Sequence, residues 1–402
     1  IEVSDSRHGL APLEELKFPS WSPTRLQQWL RCPRSGWLIR SLKIEKDEFQ
    51  DEDLDARTNG EIFHRIHHQL ILDILNFKEA IPRNFEQVLS DNQPINLFFS
   101  QIKPEILMKS SLLHLNHIAP WLNRNDAVSV NRVRLMTGMS IKQWGDWLDN
   151  PQPIPPQGRI GRFIEEELLL KNVAPIAIEW DLTLNHKDGI EISLPKEITS
   201  PHGDELPPIR LKGKIDRVDL VPFDVEKGVW INNEGSETVA PLKIINSGWE
   251  PRRLILIRDI KTTESTKIEE RHYKGLFEEL QLALYARSWE IDHPGDLVVG
   301  AGISTLGYKT SHFIELSSIE RLTKLEGIGL KTSKCKELFR FLNENESPSS
   351  DPFRAWLASR ISVALNVSER ANKGFVNPIP EKYNCSFCSV KDICDVKWEG
   401  EY

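Results

Sequence analysis

Cysteine is scarce in this chain. There are five in 402 residues, an odd number and too few to staple a small secreted fold. No apolar run approaches the roughly 20 residues of a transmembrane helix. The first ten residues, IEVSDSRHGL, are polar, which excludes a secretory signal at this position. Together these absences predict a reducing, cytoplasmic setting and no membrane partner. The chain also lacks an initiator Met, which predicts a segment of a longer protein. It lacks a net positive charge: at −8 it is not a protein that coats nucleic acid by bulk charge. No G-x-x-x-x-G-K-[ST] occurs, so this segment holds no P-loop ATPase. There is no internal repeat.

Hydrophobic residues at 39% and charged residues at 27% describe a globular chain long enough for a sizeable core. Residues 1–20 form a lead-in. SPTRLQQWLRCP predicts a short helix, with Ser22 as N-cap, Pro23 at the first helical position and Cys32-Pro33 at its end. GEIFHRIHHQLILDIL, from Gly60, has apolar residues at helical spacing, and further helical stretches fill 80–150. PQPIPPQG, 151–158, reads as an extended proline-rich linker. The texture then changes to strands beginning at Ile176, Arg210, Arg253, Asp296 and Lys309, with a helix from Phe277 between the third and fourth. The hydrophilic stretches 185–208 and 221–250 read as loops or hairpin insertions, and 317–372 returns to helix. The pattern predicts an α/β fold: a three-layer α/β/α core with a mixed central sheet at 159–316. A helical region, 21–158, precedes it, and C-terminal helices and a three-cysteine segment, 317–402, follow.

Asp259-Ile260-Lys261 closes the run RLILIRDIK. Period-two geometry puts Asp259 and Lys261 on one face of the strand. A carboxylate and an ammonium side by side at a strand end suit metal-assisted hydrolysis. The acid binds the cation, and the lysine positions the attacking water or helps deprotonate it. The preceding strand offers Asp216 in GKIDRVDL, and Gly213 before it leaves room for another backbone. Hard oxygen ligands of this kind favour Mg²⁺ or Mn²⁺. A lone D-x-K is most often a surface ion pair. The specificity lies in the order: a helix with Gly60 and His64, a strand with Asp216, a strand with Asp259 and Lys261, a helix with Gln281 and Tyr285. Both helical pairs are i, i+4 and share a face.

In that order, NGEIFH, GKIDRVD, RDIK and QLALYA resemble the RecB-type nucleases of the PD-(D/E)xK superfamily, over roughly residues 20 to 396. The resemblance implies a restriction-endonuclease-like core. It also implies His64, Asp216, Asp259 and the Ile260 carbonyl as metal ligands and Lys261 as the catalytic lysine. Gln281 and Tyr285 would support the site or contact the DNA strand. Glu179 matches an acid often found on the strand before the GxxD motif. The long gap between Asp216 and Asp259 departs from the family pattern and requires an insertion at 221–250.

Cys385, Cys388 and Cys394 form C-x₂-C-x₅-C in the tail, and Cys32 lies far upstream. Cys335, in a helical stretch, reads as an ordinary side chain. Zinc sites usually bring two CxxC-like knuckles and this chain has one, whereas iron–sulfur clusters take four thiolates at more varied spacing. Iron–sulfur nucleases of the same superfamily carry one cysteine before the core and three after it. They include the C-terminal nuclease domain of the AddAB helicase–nuclease B subunit. That resemblance implies a [4Fe–4S] cluster on Cys32, Cys385, Cys388 and Cys394, stapling the chain ends.

The expected function is a metal-dependent DNA nuclease. It would be an exonuclease on single strands or DNA ends, serving DNA repair or recombination and coupled to a helicase partner or an upstream helicase-like region. The segment from Arg25 to Lys46 sets six bases against Glu45 alone. Together with Trp29 and Trp37 it could line the strand's path. The alternatives are a non-catalytic DNA-binding or scaffold subunit and a zinc-bound interaction module.

Overall fold

The computed structural model describes residues 9–11, 18–44, 56–76, 103–123, 127–169, 174–194, 206–221, 223–224, 229–231, 237–238, 253–263, 268–294, 296–307, 311–316 and 352–394. Cys335 and residues 317–351 of the helical stretch expected over 317–372 lie outside them.

Helix α1 (Pro23–Arg31) starts as its sequence dictates. The Ser22 hydroxyl accepts a hydrogen bond from the Arg25 amide at 3.2 Å, and Pro23 fills a position whose N–H would have no helical partner. Cys32, in extended backbone, ends α1 and at once begins α2 (Pro33–Arg40). The proline that stops one helix therefore starts the next, where the sequence shows only an end. Trp29 and Trp37 are buried, so neither is a surface on which a base could stack. Arg34 is buried too and donates to the Val376 carbonyl at 3.0 Å. It serves the packing of the chain ends rather than a basic groove.

The helical region continues with α3 (Ala56–Asn76), α4 (Pro104–Ile118), α5 (Ala127–Thr137), α6 (Ile141–Asp149) and α7 (Arg159–Leu169). The proline-rich stretch 151–158 runs through bends with Pro155 buried, directly into α7, rather than as an extended spacer.

The strands follow as β1 (Ala174–Asp181), β2 (Ile190–Ile192), β3 (Ile209–Leu211), β4 (Lys214–Val221), β5 (Phe223–Asp224), β6 (Val229–Ile231), β7 (Glu237–Thr238) and β8 (Arg253–Thr263). After them come α8 (Ile268–Phe277), α9 (Gln281–Asp292), β9 (Asp296–Gly307), β10 (Ser311–Leu316), α10 (Pro352–Asn372) and α11 (Lys382–Ser386). Two expected elements divide. The run from Arg210 breaks into β3 and β4 at Lys212-Gly213, and the helix expected from Phe277 starts at Gln281, after α8 has ended. Within the expected insertions, β2 forms and pairs with β3, and β5, β6 and β7 form a small antiparallel sheet.

The central sheet has the order β1-β4-β8-β9-β10. Only β8 and β9 run parallel; the other neighbours are antiparallel, so the sheet is mixed. The connection between the parallel pair is the α8–α9 segment, as a crossover requires. Strand alternation sorts the two faces. Arg217 and Arg258 point toward α3 and α7, where they meet His67 and Glu167. Asp259 and Lys261 point the other way, toward α9, where Asp259 meets Gln281. The result is the three-layer mixed α/β arrangement expected from the sequence. β8 is the innermost of its strands, with Ile255, Leu256, Ile257 and Ile260 fully buried. Among the described residues no helix is long and apolar enough to cross a membrane.

Candidate active site

The β4–β8 ladder pairs Val221 with Leu254 at one end and Arg217 with Arg258 at the other. Beyond that last rung the Asp216 side chain substitutes for backbone pairing: its Oδ2 accepts from the Ile260 amide at 2.8 Å. Asp216 is 8% exposed and Asp259 2%. Two carboxyl groups thus stand close together at the end of two central strands, away from water.

Such a pair cannot carry both charges unaided. Burial first, and then the Asp259 charge, push the Asp216 carboxyl up to about 8. Asp259 has other support. Its Oδ2 lies 2.8 Å from Lys261 Nζ, and its Oδ1 accepts from Gln281 Nε2 at 2.9 Å. Burial works against the Lys261 ammonium, but the Asp259 and Asp216 charges outweigh it and lift its pKa above the usual lysine range. Gln281 also accepts from Lys261 at 3.5 Å, so it bridges both ends of the D-x-K.

Helix α3 delivers His64 from the other side. Gly60, one turn earlier, lets α3 approach β8: a Cβ there would sit 3.1 Å from Thr262 Oγ1. The Nε2 edge of His64 lies 3.0 Å from the Ile260 carbonyl oxygen and Nδ1 lies 3.3 Å from Glu179 Oε1. Burial disfavours the imidazolium, but the hydrogen bond to Glu179 and the Asp216 and Glu179 charges prevail, raising its pKa. Glu179 lies in β1 with φ +47, a left-handed conformation that costs a non-glycine residue about 1–3 kcal/mol. Its neighbours Ile178 and Trp180 pair with Arg217 and Ile215, which sets Glu179 across from Asp216. One donor atom each from His64, Glu179 and Asp216 lie within 4.8 Å of one another, the one such grouping among the described residues.

The structure therefore gathers His64, Asp216, Asp259, Ile260, Lys261 and Gln281 at one place. Tyr285 lies one turn after Gln281, is 6% exposed and is hydrogen-bonded to Gln281. Burial, followed by the Asp216 and Asp259 charges, drives its phenol well above the ordinary value and keeps it neutral. So enclosed, Tyr285 is placed to support Gln281. Gly213 admits no backbone. Its hypothetical Cβ would meet the Tyr285 hydroxyl at 3.4 Å and Pro23 Cδ at 3.5 Å, ordinary contacts with side chains.

The carboxylates, the imidazole and the carbonyl form an oxygen-rich donor set suited to Mg²⁺ or Mn²⁺. The buried, mutually repelling acids are the feature a cation would relieve. Residues 20–232 match the family model of the PD-(D/E)XK nuclease superfamily. The chain belongs to this superfamily. Membership implies a metal-dependent nuclease, and such nucleases typically use divalent metals such as Mg²⁺. The match covers His64, Glu179 and Asp216; β8 and α9, beyond its end, bring Asp259, Lys261 and Gln281 to the same place. No curated protein matches the chain.

On the Lys261 side the site opens into a cavity of ≈ 740 Å³. Lys261 and Gln281 lie on its wall, and so do all four cysteines of the expected set, Cys32, Cys385, Cys388 and Cys394. None of the four is in a disulfide. Arg31, Arg40 and Arg271 line the same space. Of the basic segment read from the sequence, Arg31 and Arg40 reach this cavity. Arg25 instead donates to the Ser20 carbonyl at 3.0 Å.

The Asp216 carboxyl gives a pH signature. In the metal-free folded chain it keeps its proton up to about pH 8, whereas unfolded it loses it near 4. The folded state binds the extra proton across that window, so this group lowers stability as pH rises through it. In EDTA, the melting temperature should fall between about pH 5 and 8, and Asp216→Asn should flatten that fall. Parallel melting profiles for the parent and Asp216→Asn would contradict the assignment.

Proposed function

We propose that this chain is a RecB-type deoxyribonuclease that uses Mg²⁺ or Mn²⁺ to degrade single strands or DNA ends in repair or recombination, beside a helicase. The observation that carries the reading is the convergence of buried Asp216 and Asp259 with His64 and a charged Lys261 at the end of β4 and β8. A divalent cation bound there would polarise the scissile phosphate and activate the attacking water. His64, Asp216, Asp259 and the Ile260 carbonyl are its proposed ligands, and Glu179, 3.3 Å from His64, joins them.

The remaining steps belong to this chain's own side chains. Lys261, 2.8 Å from Asp259 Oδ2, places a positive charge beside the proposed cation. It orients the nucleophile and offsets the negative charge that develops on the phosphate. Gln281 holds the lysine and Asp259 in register, and Tyr285 holds Gln281. Arg31, Arg40 and Arg271 line the cavity that leads to Lys261, together with Glu279, which pairs with Arg31 at 3.7 Å and with Arg271 at 3.0 Å. The helicase partner rests on analogy with AddAB-like enzymes.

The same reading gives the four cysteines a [4Fe–4S] cluster. The four residues line one cavity, and the chemistry of four cysteine ligands suits iron–sulfur binding. A tetrahedral zinc site holds each sulfur at about 2.3 Å from the metal and so draws them close together. No three of the four sulfurs lie within 4.8 Å of one another, farther apart than a zinc ion would hold them. When bound, a cluster would supply a rigid link between the chain ends.

Two measurements test these assignments. With labelled single-stranded and blunt duplex DNA, the parent should cleave in Mg²⁺ and not in EDTA. Lys261→Ala should remain folded and lose about 10²-fold or more in rate; if it cleaves as fast as the parent, the lysine has no part in the chemistry. Separately, anaerobically purified protein should carry about four iron and four sulfide per chain, and Cys32→Ala should lose both and melt at a lower temperature. Zinc without iron would overturn the cluster.

A further inference from the structure

Directly behind the two acids lies a second set of charges, on the opposite face of the sheet. Arg217 follows Asp216 in β4, and Arg258 precedes Asp259 in β8. The two arginines are cross-strand partners, and both side chains are fully buried. Like charges directly opposite one another on a sheet are destabilising. Here two carboxylates, equally buried, each span both guanidinium groups. Asp219 Oδ1 is 2.9 Å from Arg217 Nε and its Oδ2 is 2.8 Å from Arg258 Nε. Glu167 of α7 places Oε2 3.0 Å from Arg217 Nη1 and Oε1 2.8 Å from Arg258 Nη2. Arg217 Nη1 also lies 3.4 Å from Nε2 of His67, three residues after His64 in α3.

Burying four charges is a poor route to stability. Apolar residues of similar volume often do as well or better. What such a quartet can supply is a fixed register, because its forked groups meet in one geometry only. Its position makes that register matter. Arg217–Arg258 is the last rung of the β4–β8 ladder. One residue further on, the strands part, and Asp216 and Asp259 project from the fork. A slip of one residue would turn a strand's side chains to the other face and separate the acids.

We propose that Glu167, Arg217, Asp219 and Arg258 form a register clamp, a set of positioning residues that holds Asp216 and Asp259 at one cation and ties α3, with His64, to the same fork. None of the four touches the cation or the DNA. The inference rests on the metal-site reading above and extends it to the residues that set the site's geometry.

The test is Mn²⁺ binding by titration calorimetry on the full chain, with thermal melts run in parallel. Glu167→Gln keeps the size of the side chain but removes one of its paired charges. It should bind Mn²⁺ about tenfold or more weakly, as loss of a residue supporting metal ligands typically does. Glu167→Asp restores the charge with a shorter reach and should recover part of the affinity. A purely structural quartet would lower the melting temperature and leave the affinity of the folded protein unchanged. That result in Glu167→Gln, or in Glu167→Asp if the first variant does not fold, would overturn the clamp. Failure of the parent to bind Mn²⁺ is a different outcome, because it overturns the metal site first and the clamp with it.

Discussion

Asp216 and Asp259 repel each other in a place that water hardly reaches, and much of the surrounding structure is arranged around that repulsion. Lys261 and Gln281 stabilise Asp259 directly. Asp216 has the Ile260 amide and His64 nearby, yet burial and the Asp259 charge still push its pKa up to about 8. The acids are placed by β4 and β8, the imidazole by α3 and the amide side chain by α9. Each element is held by its own packing: Gly60 brings α3 close to β8, and α9 is nearly wholly buried along Leu282 to Ala286. Glu179 shows the same logic locally, since a strained backbone in β1 accompanies its approach to His64.

The two ends of the described chain are bound into this arrangement by ordinary hydrogen bonds. Arg34 of α2 reaches the Val376 carbonyl, and Asn384 of α11 reaches the Arg31 carbonyl at 3.2 Å. Gln27 of α1 donates to the Glu278 carbonyl at 2.8 Å and accepts from the Leu280 amide at 3.0 Å. It therefore fixes the turn from which α9 starts, immediately before Gln281. The segments that carry the cysteines and the segment that carries the acids are parts of one packed unit, joined through α1.

The order of parts along the sequence singles out the residues that the structure gathers, because period-two and i, i+4 spacing fix which side chains share a face. Spacing also delivers the mixed α/β architecture. It says less where a single residue changes the path. The break at Gly213 divides one apparent strand into two, and Pro33 begins a helix where the sequence shows only the end of one. Glu179 cannot be placed by strand alternation alone, because its left-handed backbone departs from it. The buried face of β4 and β8 is hidden for a different reason. Arg217, Asp219 and Arg258 look like solvent-facing charges in the sequence, and only the position of Glu167, far away in α7, shows that they are enclosed and matched. Trp29, Trp37 and Arg34 mislead in the opposite sense: aromatics and a base that suggest a binding path are packed inside.

The central claim is that one cation resolves the conflict between the two buried acids. A crystal of the full chain soaked in Mn²⁺ and measured at the manganese absorption edge tests this most directly. The account predicts an anomalous peak at the end of β4 and β8, within bonding distance of His64, Asp216, Asp259 and the Ile260 carbonyl. An empty site at saturating Mn²⁺, with Asp216 and Asp259 still adjacent, would contradict it.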